Sequence, residues 1–138
     1  MILLDTNVLS ALMRREPEPA VMAWLDHQPA ESIWTTTITV FEVRTGIELL
    51  EQGRRRRQLE EAFAPLLAED LGGRVQSFDE AAALAAASIA AARQRVGRPV
   101  EIRDAQIAGI ATARRATLAT RNSGHFADLD VELVDPWS

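Results

Sequence analysis

Ile2-Leu3-Leu4-Asp5-Thr6-Asn7-Val8-Leu9, near the head of the chain, decides how the rest is read. Three aliphatic residues are stopped by an acid and followed by Asn7-Val8-Leu9, the pattern of a short buried strand turning into a helix. The same alternation continues outward. Residues 18–28 read as a helix with Val21, Trp24 and Leu25 on one side, and Ser32 to Thr36 as a β-branched and aromatic second strand. Val40, Val43, Ile47 and Leu50 repeat at helical spacing until Gly53. Arg54 to Leu71 is a charged helix with Leu59, Phe63, Leu66 and Leu67 inward, and Pro65 should kink or break it. Arg74 to Phe78 is a third strand, and Asp79 caps an alanine-rich helix reaching about Val96. A helix over Glu101 to Arg115, a fourth strand at Thr117 to Thr120, a polar loop and a fifth strand at Val131 to Val134 complete the series. Five short strands interleaved with helices predict one α/β domain over residues 1–138, with a mainly parallel sheet. Trp24 and Trp34 are expected in its core.

Composition narrows the function. A chain of 138 residues with 47% apolar and 25% charged side chains can build a proper core without staples. It has no Cys, which excludes disulfides, thiolate zinc sites and cysteine nucleophiles. All 15 basic residues are Arg, so Schiff-base chemistry and the P-loop lysine are excluded as well. A net charge of −5 argues against a general nucleic-acid binder, yet does not exclude an acidic site whose charge is offset by a divalent cation. No basic stretch precedes the first apolar run, and none of the apolar runs is long enough for a bilayer, so a cytoplasmic protein without membrane contact is expected.

In an open parallel sheet, ligands bind beyond the carboxyl ends of the strands. Asp5 ends the first strand, Glu42 opens the helix after the second, Asp104 lies early in the helix before the fourth, and Asn122 follows the fourth. Each has a local reading too. Asp5 suits an N-cap, Thr39-Val40-Phe41-Glu42 fits a capping box, Asp104 suits a helix start, and Asn122 suits a turn. Taken together, acids converging in one pocket repel one another unless a cation is present. Hard oxygen donors without Cys or Lys point to Mg²⁺ or Mn²⁺.

The segments MILLDTNVLS, TITVFEVRTGI, EIRDAQIAGIA and LATRNSGHF, followed by VDPW, resemble the PIN-domain family in order and spacing from residue 1 to Trp137. More narrowly, they resemble its VapC and FitB type of toxin ribonuclease from bacterial toxin–antitoxin pairs. The resemblance implies a three-layer α/β/α fold and an Mg²⁺-dependent endoribonuclease with Asp5, Glu42 and Asp104 as its catalytic acids. Asp5 and Asp104 would hold the metal directly or through water, while Glu42 would complete the shell or orient the attacking water. The metal would acidify that water and neutralise charge on the phosphate. Thr6 and Thr120 would orient the carboxylates, with Asn122 in support. The implied partners are RNA and a cognate antitoxin covering the groove, in a homodimer or a toxin–antitoxin hetero-oligomer.

Many members carry a fourth acid at the position of Asn122 or of His125, and this chain has neither. Asn brings no charge, so a one-metal mechanism gains weight. His125 can serve as ligand, as proton donor or as packing beside Phe126. Arg121 is the better placed of the arginines to touch substrate phosphate, with Arg103 a lesser candidate. Arg54 to Arg57 reads first as a solvated helix face and second as an RNA contact. Two other classes compete. A phosphotransferase using Asp5 as nucleophile would want an acid at Asn7 and a lysine. A degenerate module acting through protein binding and antitoxin-linked DNA autoregulation has the missing fourth acid in its favour.

Overall fold

In the computed structural model, which describes residues 1–138, the strands are β1 (Ile2–Leu4), β2 (Ile33–Thr36), β3 (Val75–Gln76), β4 (Thr117–Ala119) and β5 (Leu133–Val134). They lie in the order β3-β2-β1-β4-β5, and every neighbouring pair is parallel. The sheet expected to be mainly parallel is therefore wholly so. Parallel neighbours require crossovers. These are supplied by α1 (Thr6–Leu12), α2 (Pro19–Asp26), α3 (Thr37–Glu48), α4 (Arg54–Pro65), α5 (Glu80–Arg95), α6 (Ile102–Arg114) and α7 (Ser123–Phe126).

Successive residues of β1 face opposite layers. Leu4 joins Val8, Leu9, Val43, Ile47 and Phe63 in a core beneath α1 to α4, with Trp24 packed against it. Leu3 joins Leu118, Ile107, Ile110 and Phe126 in a second core beneath α5 to α7, with Trp34 at its edge. Both tryptophans, expected within the core, are half-buried and pack against its two halves, one on each side of the sheet. No helix is long and apolar enough to cross a membrane.

Several boundaries differ from the sequence reading for local reasons. Helix α3 starts earlier than Val40 because Thr36, at the end of β2, is its N-cap. The Thr36 hydroxyl accepts from the Thr39 amide at 3.0 Å. The Thr39–Glu42 capping box is therefore not formed, and Glu42 is left for other work. Helix α4 does not break at Pro65. It passes into a π-helical turn, Leu66–Asp70, where the Leu71 amide reaches back to the Leu66 carbonyl at 2.9 Å. Strand β3 is shorter than expected, because the Phe78 amide donates to the Thr37 hydroxyl at 3.1 Å instead of to a strand. β5 spans only Leu133–Val134. The polar loop after β4 holds one turn, α7, with no apolar period to announce it.

Candidate functional site

Strand β1 lies between β2 and β4, so the chain leaves it in one direction along the sheet and returns on the other side. Crevices open at such a switch point, beyond the carboxyl ends of the strands. Asp5 stands there, 6% exposed. As the N-cap of α1 it accepts from the Thr6 amide through Oδ1 at 2.8 Å. Its other oxygen, Oδ2, accepts from the Thr120 hydroxyl at 2.7 Å. One carboxylate therefore caps α1 and also reaches across to the end of β4.

Glu42 reaches the same region from α3 and lies 3.6 Å from Arg103, which also lies 3.4 Å from Glu101. Arg103 is thereby engaged with two acids. Asp104, in the first turn of α6, makes no capping bond, and its Oδ2 lies 3.5 Å from His125 Nδ1. His125 is exposed on α7 and faces Asp104, while its neighbour Phe126 fills the core.

All three carboxyls are held above the ordinary carboxylate range. For Asp5 the cause is burial, partly offset by the bonds from Thr120 and Thr6. For Glu42 it is burial, opposed by Arg103 and reinforced by the charges of Asp5 and Asp104. For Asp104 burial leads, and Glu101 adds to it. The acids therefore share one field, opposed by the Arg103 guanidinium, with the His125 imidazole beside Asp104. Thr6 Oγ1 faces Glu42 but is buried without a partner of hydrogen-bond geometry. No three acids or histidines close around one point. The donors are all hard oxygens, a set suited to an ion such as Mg²⁺ that takes few protein ligands and keeps its waters.

A residue the sequence reading passed over ties this centre together. Asn7 Nδ2 donates to Thr120 Oγ1 at 3.3 Å, and its Oδ1 accepts from the Arg121 amide at 3.1 Å. The Asn122 amide also donates to Thr120 Oγ1 at 3.0 Å. Asn122 thus meets Thr120 through its backbone amide, and its exposed side chain makes no cap bond to α7. The Asp-Thr-Asn triplet was the available signal, since its third residue lies in the first turn of α1 and reaches the end of β4.

A cleft of about 880 Å³ opens beside Glu42, bounded also by Thr6, Asn7 and Trp137 and carrying Arg14, Arg15, Arg55 and Arg121. Four arginines line it in a chain of net charge −5. The Arg54–Arg57 run divides here. Arg55 faces the cleft, whereas Arg56 is structural. Its guanidinium donates to the Glu48 and Leu50 carbonyls at 3.4 and 3.3 Å, closing the end of α3, and pairs with Glu48 and Glu60.

A family model described as PIN domain matches residues 2–132. Over 137 residues the chain is 42% identical to the plasmid stability protein StbB of Pseudomonas syringae pv. tomato, covering 99% of each. It is 37% identical to toxin FitB of Neisseria gonorrhoeae, again covering 99% of each. Against the VapC ribonuclease Y4jK of Sinorhizobium fredii it is 35% identical, covering 99% of this chain and 98% of that protein. The solved structure of FitAB bound to an IR36 DNA fragment matches with a TM-score of 0.89 at 37% identity, covering 100% of this chain and 96% of that one.

Proposed function

This chain belongs to the PIN-domain family, and from that premise we propose that it is a metal-dependent endoribonuclease acting as the toxin of a toxin–antitoxin pair. The observation that carries the reading is the convergence of Asp5, Glu42 and Asp104 from three elements at the switch point of the sheet, each carboxyl raised first by burial, Glu42 also by the charges of Asp5 and Asp104, and Asp104 also by that of Asp5. Such an arrangement is unfavourable by itself and becomes favourable when a cation arrives.

Asp5 and Asp104 are the residues to hold Mg²⁺ or Mn²⁺, with Glu42 completing the acidic set. A divalent ion bound there supplies charge neutralisation at the phosphate and a more acidic water. The protein does the rest. Thr120 spends its only proton on Asp5 Oδ2, and Asn7 and the Asn122 amide fill its lone pairs, so that carboxylate cannot rotate. Thr6 brings an unpartnered hydroxyl to the same wall. Glu42 would complete the shell or orient the attacking water, and Arg121 would meet a substrate phosphate. VapC ribonuclease and toxin FitB are names of full-length relatives, and FitAB is seen with DNA. By extension, this chain's partners are single-stranded RNA and an antitoxin that covers the cleft. Phe41, exposed on α3, and Leu49, exposed at its end, suit a homodimer or a larger toxin–antitoxin assembly.

The test is cleavage of RNA by partner-free protein with Mg²⁺ or Mn²⁺, against excess chelator and beside Asp5→Asn. Cutting that needs metal and disappears in the variant is the expected result. A protein that binds no divalent cation by titration calorimetry overturns the reading.

A further inference from the structure

The Arg121 guanidinium carbon lies 4.8 Å from the centre of the Trp137 ring. Arginine over an indole is a cation–π arrangement, and it holds a long flexible side chain in one place. The ring is itself well fixed. Trp137 packs against the core beneath α1 to α4, Pro136 before it is buried, and the Trp137 amide donates to Asp135 Oδ1 at 2.9 Å. Its indole N–H is buried without an acceptor, so packing and Arg121 hold the ring rather than a side-chain hydrogen bond. The Arg121 backbone is pinned from the other side by Asn7 Oδ1. Unlike Arg14 and Arg103, Arg121 pairs with no carboxylate. It is exposed on the wall of the cleft that also holds Glu42, one residue beyond the hydroxyl bonded to Asp5.

An arginine fixed at one site, with its charge unspent and one side covered by an indole, offers a platform to a planar ring. Unpaired RNA bases stack on guanidinium planes as they do on aromatics. We infer that Arg121, held over Trp137, seats one nucleobase of the RNA beside the acid centre. Trp137 is the positioning residue, and Arg121 makes the contact. The inference deepens the ribonuclease reading and rests on it. It also gives a chain with 5% aromatic residues and no Tyr a single stacking position in place of an aromatic surface.

The experiment measures binding of the intact protein in excess chelator, so that no RNA is cut. One probe is a fluorescein-labelled single-stranded RNA of mixed sequence. The other is an abasic ribose-phosphate strand of equal length. Both carry the same phosphates, so repulsion from the acids cancels in the comparison. The wild-type protein should bind the RNA about tenfold more tightly than the abasic strand, the size expected of one stacked base. Arg121→Lys keeps the charge, loses the plane and lies on the surface. It should bind both strands at the abasic level, whereas Trp137→Phe should keep part of the preference. Wild-type protein without a preference, or Arg121→Lys with the full preference, overturns the inference. Cleavage of the same RNA with Mg²⁺ is scored separately. Preference without cleavage supports the subsite and fails the nuclease reading. Cleavage without preference does the reverse.

Discussion

Helix α6 has two regions with opposite demands. Its first turn presents Asp104 to other acids, where burial and like charge push the carboxyl above its ordinary range. Less than two turns later, Gly109 lets α6 approach α5 so closely that a Cβ there would lie 2.5 Å from the Ala82 carbonyl oxygen and 2.7 Å from Ala86 Cβ. Ala82, Ile107, Ala108 and Ile110 around it are buried and apolar. The second region stabilises the fold through close packing, and the first lowers stability by burying a carboxyl near other acids. Rigidity at one end of a helix is what allows the other end to keep an unfavourable carboxylate in place.

The strongest way to break that contrast is Gly109→Val. The added carbons meet the Ala82 carbonyl, which cannot move without its helix. A loss of about 3 kcal/mol, near the upper end for overpacking, should lower Tm by roughly 10 °C. Circular dichroism melting measures it, and an unchanged Tm would mean that the α5–α6 approach is not tight. At the other end of the helix, Asp104→Asn should lower cleavage by at least about a hundredfold, near 2.7 kcal/mol of barrier, without lowering Tm. Fully active Asp104→Asn protein would remove that residue from the chemistry.

Arg55 and Arg56 repeat the contrast between neighbours. Arg56→Ala strips the end of α3 of two carbonyl partners and should lose about 1–2 kcal/mol in urea unfolding while leaving RNA affinity unchanged. Arg55→Ala, from the cleft wall, should weaken RNA binding and flatten its salt dependence with stability intact.

The smallest effect sharpens the acid end itself. An acid whose pKa rises on folding binds its proton more tightly in the native state, so native stability falls as pH climbs from the unfolded to the folded value. Asp5 is such a group. An Asn amide faces the Thr120 hydroxyl, whose lone pairs are already filled, a cost that does not vary with pH. The Tm of the metal-free parent relative to Asp5→Asn should therefore fall as pH climbs to the raised Asp5 value and level off above it. Thermal melts of both proteins across a pH series measure the difference, and a difference that stays constant with pH would mean that folding does not raise the Asp5 carboxyl.

Much of the framework was legible along the chain. Asp79 caps α5 through the Ala82 amide at 3.0 Å, as its place before an alanine-rich run implied. The Ile2–Leu4 run is a central strand, and Asp5 ends it. Glu42 was less legible, because Thr39 and Glu42 carry the spacing of a capping box. Thr36 wins the cap since its backbone is still extended at the end of β2 while its hydroxyl reaches the Thr39 amide. Arg56 was hidden in a run of four identical residues. Only the packing of α3 against α4 distinguishes it from Arg55.

Segments of strand and helix follow from patterns within a few residues, because backbone hydrogen bonds and apolar periodicity act at that range. The amino-acid sequence by itself therefore determined the α/β alternation, the oxygen-only donor set and the absence of thiol and lysine chemistry. The order β3-β2-β1-β4-β5 depends on strands far apart in the chain, and that order sets Asp5 against Thr120 and Asn7 against Arg121. Arg121 over Trp137 and the closeness of α5 to Gly109 were likewise decided only in the tertiary structure. A side chain's partner across the fold is chosen by the packing of whole elements, and no local spacing encodes it.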